Sequence, residues 1–212
     1  MIRATRPRPA RAASVLTLLT LVLVGGVASG CSTLGGTDDA NFVVGDGTVV
    51  QIDAADRTDP IEISGPSLED EPIDLADLRG EIVVLNIWGS WCNPCLAEAP
   101  ILKEASEQLD AEFVGLSFRE TSFENALAVE RRFGIEYPTI ADTGAGVLAL
   151  GRYAPRSPPS TYILDTQGRV AAVISGAITS AATLEGIVED VRADDGAVDG
   201  PADGPAGGAV DG

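Results

Sequence analysis

Short hydrophobic runs divide the middle of this chain into segments with the periods of strands and helices. The run Ile82–Trp88 has the length and the β-branched content of a buried strand. The segment after it places Ala99, Leu102 and Leu109 near one helical face, with charged residues on the opposite face. This pattern predicts a helix, which Pro100 should kink because proline removes one backbone hydrogen bond.

The same periodicities predict further elements on both sides of this strand and helix. Strands are expected at Thr48–Asp53, Glu112–Phe118, Tyr137–Ala141, Ser160–Asp165 and Val170–Ser175, and a β-hairpin from Ile61–Ser64 and Ser67–Ile73 around a turn at Gly65-Pro66. Helices are expected at Leu75–Leu78, which Asp74 can cap, and at Ser122–Phe133, Gly144–Leu150 and Ser180–Arg192. Strands that alternate with helices predict an α/β domain with a mixed sheet.

Residues 1–30 are interpreted as a lipoprotein-type signal peptide rather than as part of the fold. An arginine-rich start precedes Val15–Val27, an apolar stretch that is too short for a comfortable membrane span. The sequence Ala28-Ser29-Gly30-Cys31 resembles a bacterial lipobox, although Ala28 stands where leucine or another aliphatic residue is usual. A lipid on Cys31 is therefore expected to anchor the protein to the outer face of the cell membrane. Ordinary secretion, with Cys31 left as an odd thiol, is the alternative.

Composition divides the rest of the chain into three parts. Residues 31–47 are rich in Gly, Asp and Thr and are expected to form a flexible tether. Residues 48–193 contain the predicted strands and helices and form the domain. Residues 194–212 consist of Ala, Gly, Asp, Pro and two valines, so they cannot bury a core and are expected to be a disordered acidic tail. A recognition role for this tail is the alternative.

The formal net charge of −18 and the absence of histidine exclude several classes of function. An acidic surface repels nucleic acid and anionic lipid headgroups, so no nucleic-acid partner is expected. Without histidine, the chain can form neither a Ser-His-Asp triad nor a histidine-based zinc-protease site. The candidate chemistry therefore rests on the three cysteines, Cys31, Cys92 and Cys95.

The sequence Cys92-Asn93-Pro94-Cys95 lies where the predicted buried strand passes through a short turn into the helix. Two cysteines with this spacing at a helix start are typical of a thiol–disulfide redox site. The unpaired N–H groups and the positive dipole end of the helix stabilise a thiolate, which is the nucleophile. Pro94 suits the first helical turn. Cys92 is expected to be the exposed attacking sulfur, and Cys95, one turn further on, the resolving sulfur.

Two other interpretations of this cysteine pair are weaker. A zinc site needs four ligands, and the chain has only one further cysteine, Cys31, so no metal is expected. A purely structural disulfide would add little stability, because the loop that it closes is so short. The only redox group expected is the Cys92–Cys95 disulfide itself, with no additional cofactor.

The order of elements, together with Trp91–Cys95, resembles the thioredoxin fold and, more closely, the ResA/TlpA group of extracytoplasmic thioredoxin-like lipoproteins. This group includes cytochrome c biogenesis proteins. The resemblance is carried by Leu78-Arg79-Gly80, Val83–Cys95, Glu98-Ala99-Pro100, Pro159–Asp165 and Gly168-Arg169-Val170. It implies a thioredoxin-like α/β fold, with a central mixed sheet flanked by helices and an N-terminal β-hairpin extension.

The resemblance also implies roles for residues around the cysteines. Pro159 matches the family's cis-proline, which lies against the CxxC and offers a docking edge to the substrate. Trp91 matches the tryptophan before the first cysteine and is expected to shield the disulfide, while Asn93 influences the reduction potential. Pro158 departs from the pattern. It has no N–H to offer a substrate chain, which predicts a weaker or differently registered contact.

Glu98 is the candidate acid–base residue. It lies three residues after Cys95, so the two side chains share a helix face. A glutamate at this place in the ResA-like group lies near the redox pair, which implies that Glu98 assists proton transfer at Cys95. Thioredoxins proper carry a buried aspartate in the preceding strand, where this chain has Asn86, and this difference favours Glu98. An exposed helix glutamate without a catalytic role is the alternative.

The resemblance implies a membrane-anchored thiol–disulfide reductase that acts on a protein disulfide as a monomer. The family's substrate is the CxxCH haem-attachment disulfide of apocytochrome c, and its electrons come from a transmembrane thiol carrier. A disulfide oxidase for exported proteins is the first alternative, because the direction of exchange depends on a reduction potential that the sequence does not give. A non-catalytic thioredoxin-like binding module is the second.

Overall fold

The computed structural model describes residues 48–198, which form eight strands and four α-helices. The strands are β1 (Thr48–Gln51), β2 (Ser64–Pro66), β3 (Pro72–Asp74), β4 (Val83–Trp88), β5 (Glu112–Ser117), β6 (Thr139–Ile140), β7 (Ser160–Leu164) and β8 (Val170–Ser175). The helices are α1 (Asn93–Gln108), α2 (Phe123–Phe133), α3 (Ala145–Ala149) and α4 (Ala181–Val198). Short 3₁₀ turns occupy Leu75–Leu78 and Gly151–Tyr153.

Six of the strands form one mixed sheet in the order β1-β8-β7-β4-β5-β6. Strand β4 pairs parallel with β5 and antiparallel with β7, and β7 and β8 form the predicted antiparallel hairpin. All six residues of β4 are buried, as its unbroken apolar run predicts for a strand covered on both faces. The predicted α/β fold with a central mixed sheet flanked by helices is confirmed.

Packing on the two faces of the sheet explains the pattern of apolar residues. On one face, Leu102 of α1 and Leu184 of α4 pack with Val84, whose side chain points to this side of β4. On the other face, Leu85 packs with Leu75 and with buried residues of the chain between β1 and β4. Helix α1 runs through Pro100 as one continuous element, so the proline does not interrupt it.

The β-hairpin between β1 and β4 differs in register from the prediction. Gly65 and Pro66, predicted as its turn, belong to β2, and the chain instead turns over the residues after Pro66. The hydroxyl Oγ of Ser67 accepts the backbone N–H groups of Glu69 and Glu71, which closes this turn. Only Ser64 of the predicted strand Ile61–Ser64 belongs to a strand. Ile61 donates its N–H to the carbonyl of Gly168, and the carbonyl of Ile63 accepts the N–H of Leu75, so neither joins a ladder.

Helix α4 extends past the predicted end of the domain. The helix was predicted to end at Arg192 and the disordered tail to begin at residue 194, but the helix continues to Val198. The boundary at residue 193 was therefore wrong for residues 194–198. The predicted signal peptide, the lipidated Cys31, the tether and the tail from residue 199 lie outside the described residues.

Buried charge explains why the end of α4 is ordered. The guanidinium group of Arg57, buried in the loop after β1, pairs with Asp165 at 3.2 Å and with Asp194 and Asp195 at 2.9 Å each. Asp195 also accepts the backbone N–H of Thr166 at 2.8 Å. A buried charge without partners is costly, so these contacts hold the last turn of α4 against the β7–β8 connection. Within residues 48–198, no helix is long and apolar enough to span a membrane.

Candidate redox site

The two central cysteines are joined as a disulfide at the start of α1, directly after β4 and its short turn. Their Cα atoms are 5.2 Å apart. Cys92 is the N-cap residue, and its Sγ accepts the backbone N–H of Cys95 at 3.2 Å. Pro94 lies in the first helical turn, where its missing N–H costs nothing. Both sulfurs therefore lie at the N-terminus of the same helix, where negative charge on sulfur is stabilised.

Both cysteines are buried in this disulfide form. Cys92 is 4% exposed and Cys95 is 3% exposed, so the prediction of an exposed Cys92 was wrong for the oxidised site. The reason is packing, because both sulfurs lie in a small apolar cluster with Trp88 and Ala126 of α2. Asn93 and Pro94 between the cysteines are exposed.

The two tryptophans near the cysteines occupy different environments. Trp91 is 52% exposed, its indole N–H donates to the carbonyl of Phe118 at 3.2 Å, and the two ring centroids are 6.4 Å apart. Trp88 is buried and donates to the hydroxyl of Thr139 at 3.3 Å. Trp91 therefore presents an aromatic surface beside the disulfide, whereas Trp88 belongs to the core.

The peptide bond between Pro158 and Pro159 is cis in the structure. Pro159 is buried, and its carbonyl accepts the N–H of Gly176 at 3.0 Å. Strand β7 begins at the next residue, Ser160, which pairs with Ile87 near the carboxyl end of β4. The proline loop thus lies at the same end of the sheet as the cysteines.

Glu98 is almost fully buried, with 1% of its surface exposed. Its Oε1 accepts the side-chain amide of Asn86 at 3.1 Å, and its Oε2 accepts the backbone N–H of Ile178 at 2.8 Å. Burial raises the pKa of Glu98 from 4.5 to about 7, while these two donors partly offset the effect. The expectation of an exposed glutamate does not apply, because this carboxyl group lies inside the protein one helical turn from Cys95.

Two partners of Glu98 were missed at the sequence level. The Nδ2 group of Asn86 that binds Glu98 also donates to the hydroxyl of Thr161 at 3.0 Å. Asn86 and Thr161 are direct neighbours across β4 and β7, so the strand pairing could have suggested the contact between these two residues. The N–H of Ile178 gives no signal in the sequence, because any residue other than proline can supply it. Tyr137 also faces this region, and its pKa is raised by burial and then by the charge of Glu98.

The sequence also matches a known protein family. A sequence model of the AhpC/TSA family matches residues 58–173, which is more than half of the chain. The chain belongs to the AhpC/TSA family. The match includes β4, both cysteines, Glu98 and Pro159.

Two curated relatives of the chain are thiol-disulfide oxidoreductases named ResA. It is 32% identical to the thiol-disulfide oxidoreductase ResA of Bacillus anthracis over 115 residues, which cover 51% of this chain and 63% of that protein. The ResA of Bacillus subtilis (strain 168) is 30% identical over 109 residues, which cover 50% of this chain and 59% of that protein. The chain thus spans less than two thirds of the length of these curated relatives. The predicted kinship with ResA-type thiol–disulfide oxidoreductases is confirmed.

The chain is also similar to solved structures of proteins named for thiol–disulfide chemistry. A DsbF homologue from Corynebacterium diphtheriae is 32% identical with a TM-score of 0.62, covering 71% of this chain and 98% of that one. A secreted thiol-disulfide isomerase from Corynebacterium glutamicum is 29% identical with a TM-score of 0.62, covering 74% of this chain and 98% of that one. The thioredoxin-like fold is therefore confirmed.

The arrangement found in this AhpC/TSA member suits two-electron exchange between dithiols and disulfides. It combines a vicinal cysteine pair at a helix start, an exposed indole beside it and a buried carboxyl group that can hold a proton. Within residues 48–198, no group of three or more Cys, Asp or Glu side chains is placed to hold a metal ion.

Proposed function

We propose that the protein is an extracytoplasmic thiol–disulfide reductase whose redox group is the Cys92–Cys95 pair. The observation that carries this proposal is the disulfide at the N-terminus of α1, in a chain that is related to ResA. A structural disulfide in the same place would need neither an exposed indole next to it nor a buried carboxyl group one turn away.

The reaction begins with the reduced protein. The thiolate of Cys92 attacks one sulfur of the substrate disulfide, the substrate S–S bond breaks, and a mixed disulfide forms while the other substrate sulfur leaves as a thiolate. Cys95, once deprotonated, attacks the Sγ of Cys92 and releases the second substrate thiolate. Two electrons have then passed to the substrate, and the protein is left with the Cys92–Cys95 disulfide seen in the structure.

Glu98 is the group that handles the proton of Cys95 in this scheme. With its pKa raised to about 7 by burial, its carboxyl group is divided between the two protonation states near neutral pH. A carboxylate in this state can accept the Cys95 proton when the resolving thiolate is needed. Asn86 and Ile178 hold its two oxygens in place.

The proposed substrate is the CxxCH haem-attachment disulfide of an apocytochrome c, which would be reduced during cytochrome c maturation. The proposed electron donor is a dithiol on a transmembrane carrier, which returns the Cys92–Cys95 disulfide to its reduced form. The resemblance to the ResA/TlpA group supports both partners. A lipid on Cys31 would hold the domain near such a carrier on the outer face of the membrane.

A second candidate function is a disulfide oxidase for exported proteins. It uses the same cysteines with the electrons running in the opposite direction. The similarity to a secreted thiol-disulfide isomerase supports this candidate.

Deletion of the coding sequence in the native host separates these two functions. A reductase of apocytochrome c predicts loss of covalent haem staining, with recovery when a small thiol reductant is added to the medium, because the substrate cysteines stay oxidised without the protein. Normal haem staining together with misoxidised secreted proteins would contradict the reductase and support the oxidase.

A further inference from the structure

A cleft of about 590 Å³ lies next to the turn that precedes Cys92 and takes no part in the steps described above. Its lining includes the apolar residues Phe118, Phe123, Val147 and Leu148 and the charged residues Arg119, Glu120 and Asp142. Leu148 is 77% exposed, whereas Gly146 and Leu150, two residues before and after it, are buried. A leucine at the edge of an apolar cleft adds to one continuous apolar surface, unlike an isolated exposed leucine.

The position of Leu148 is fixed by the structure around α3. The carboxylate of Asp142 accepts the backbone N–H groups of Gly144 and Gly146 at 2.9 Å each, and that of Val147 at 3.2 Å. Gly146 packs so closely on Leu116 that a Cβ there would lie 3.0 Å from its side chain. The helix is therefore held against β5, and Leu148 faces outward because Gly146 and Leu150 occupy the core side.

Two contacts join this cleft to the active-site turn. The indole of Trp91 donates to the carbonyl of Phe118, and the two rings lie against each other. The carboxylate of Glu120 accepts the hydroxyl of Ser90 at 2.7 Å and also its backbone N–H. Residues that line the cleft are therefore in direct contact with the turn that precedes Cys92.

The proline loop offers less to a substrate chain than a loop with an ordinary residue before Pro159. Pro158 has a carbonyl but no N–H, so a substrate strand can receive no hydrogen bond from it. A substrate chain is therefore expected to bind less tightly on that side of the cysteines, which gives more weight to contacts on the Trp91 side.

We propose that this cleft binds an apolar side chain of the polypeptide substrate, next to the substrate cysteine that Cys92 attacks. The inference rests on the proposed exchange activity and adds a sequence preference to it. A polypeptide disulfide that reaches Cys92 must pass Trp91, and its neighbouring side chains then meet the cleft. A second copy of this chain is disfavoured as the occupant, because two chains that each carry a net charge of −18 repel one another.

The test compares two peptides, each with one intramolecular disulfide, that differ only in having leucine or serine on both sides of the cysteines. The wild-type protein is expected to reduce the leucine peptide about tenfold faster in kcat/KM, which is typical of one side chain in an apolar pocket. The Leu148→Ser variant is expected to lose this preference. Val50→Ser, at a partly exposed valine on the edge strand β1, is the matched control and should retain it.

Reduction of hydroxyethyl disulfide separates this inference from the proposed function. All three proteins should reduce this small disulfide at the same rate, because it has no side chain to reach the cleft. Equal rates on both peptides for the wild type, or a preference that survives in Leu148→Ser, would overturn the cleft proposal and leave the exchange activity standing. A dimer that Leu148→Ser dissociates would assign the cleft to a second copy and also overturn it. A wild type that reduces none of these disulfides would contradict the exchange activity itself.

Discussion

Replacing Cys92 by serine is expected to lower the rate of disulfide reduction at least about a thousandfold, which is the scale of losing a catalytic nucleophile. The serine hydroxyl cannot form the mixed disulfide through which electrons pass. Cys92 is also the N-cap of α1, and serine is itself a favourable N-cap residue, so the helix start should be preserved. The loss of activity is therefore expected without unfolding. Reduction of insulin measures the activity, and circular dichroism of the same protein measures whether it is folded.

Cys95→Ser is the matched control for this experiment. It retains the attacking sulfur and lacks the resolving one, so it should form the mixed disulfide and stop there. A covalent adduct with substrate should accumulate in this variant and be absent from Cys92→Ser. Insulin reduction that survives in Cys92→Ser would contradict the assignment of Cys92 as the nucleophile.

Glu98→Gln is expected to remove a large part of the pH dependence of stability. Burial raises the pKa of Glu98 from 4.5 to about 7, so the folded protein holds this proton more tightly than the unfolded chain does. The stabilisation that the protonated Glu98 gives the folded protein is fully present below about pH 4.5 and is lost as the pH rises through about 7. A shift of this size corresponds to about 3 kcal/mol at 1.36 kcal/mol per pH unit.

The quantity to measure is the difference in free energy of unfolding between the variant and the wild type, from urea titrations at several pH values. This difference should change by about 3 kcal/mol in favour of Glu98→Gln between pH 4 and pH 8. Glu104→Gln, on the exposed face of the same helix, is the control. In the proposed mechanism Glu98 also accepts the Cys95 proton, so the pH profile of exchange should change in Glu98→Gln. An unchanged profile would remove Glu98 from the mechanism.

The parts of the fold that could be predicted from the sequence depend on local pattern. Strand β4 and the start of α1 were predictable because an apolar run, a short turn and a capped helix follow one another within a few residues. The place of Pro159 came from resemblance, since a residue so far along the chain cannot be assigned to the site by periodicity. The hairpin register was missed because β2 and β3 have only three residues each, too few to show an alternation.

Features that depend on distant charges could not be predicted in the same way. Arg57 lies in a loop without periodicity, and its partners Asp194 and Asp195 belong to a segment whose composition is that of a tail. The burial of Glu98 was equally hidden, because its partners are a strand amide and a backbone N–H near residue 178. Composition predicts exposure for Arg57, Asp195 and Glu98, and only the pairing of opposite or complementary groups in the fold allows them to be buried.

The most direct test of the central claim is the transfer of electrons to a single substrate disulfide. The reduced protein would be mixed with an equimolar peptide that contains an oxidised CxxCH motif, and the free thiols of both would be alkylated and counted by mass spectrometry. We expect a reduced peptide together with a Cys92–Cys95 disulfide. The mixed disulfide through which they form should be trapped in Cys95→Ser. A peptide that stays oxidised beside a protein that stays reduced would contradict it, as would oxidation of the reduced peptide by the disulfide form of the protein.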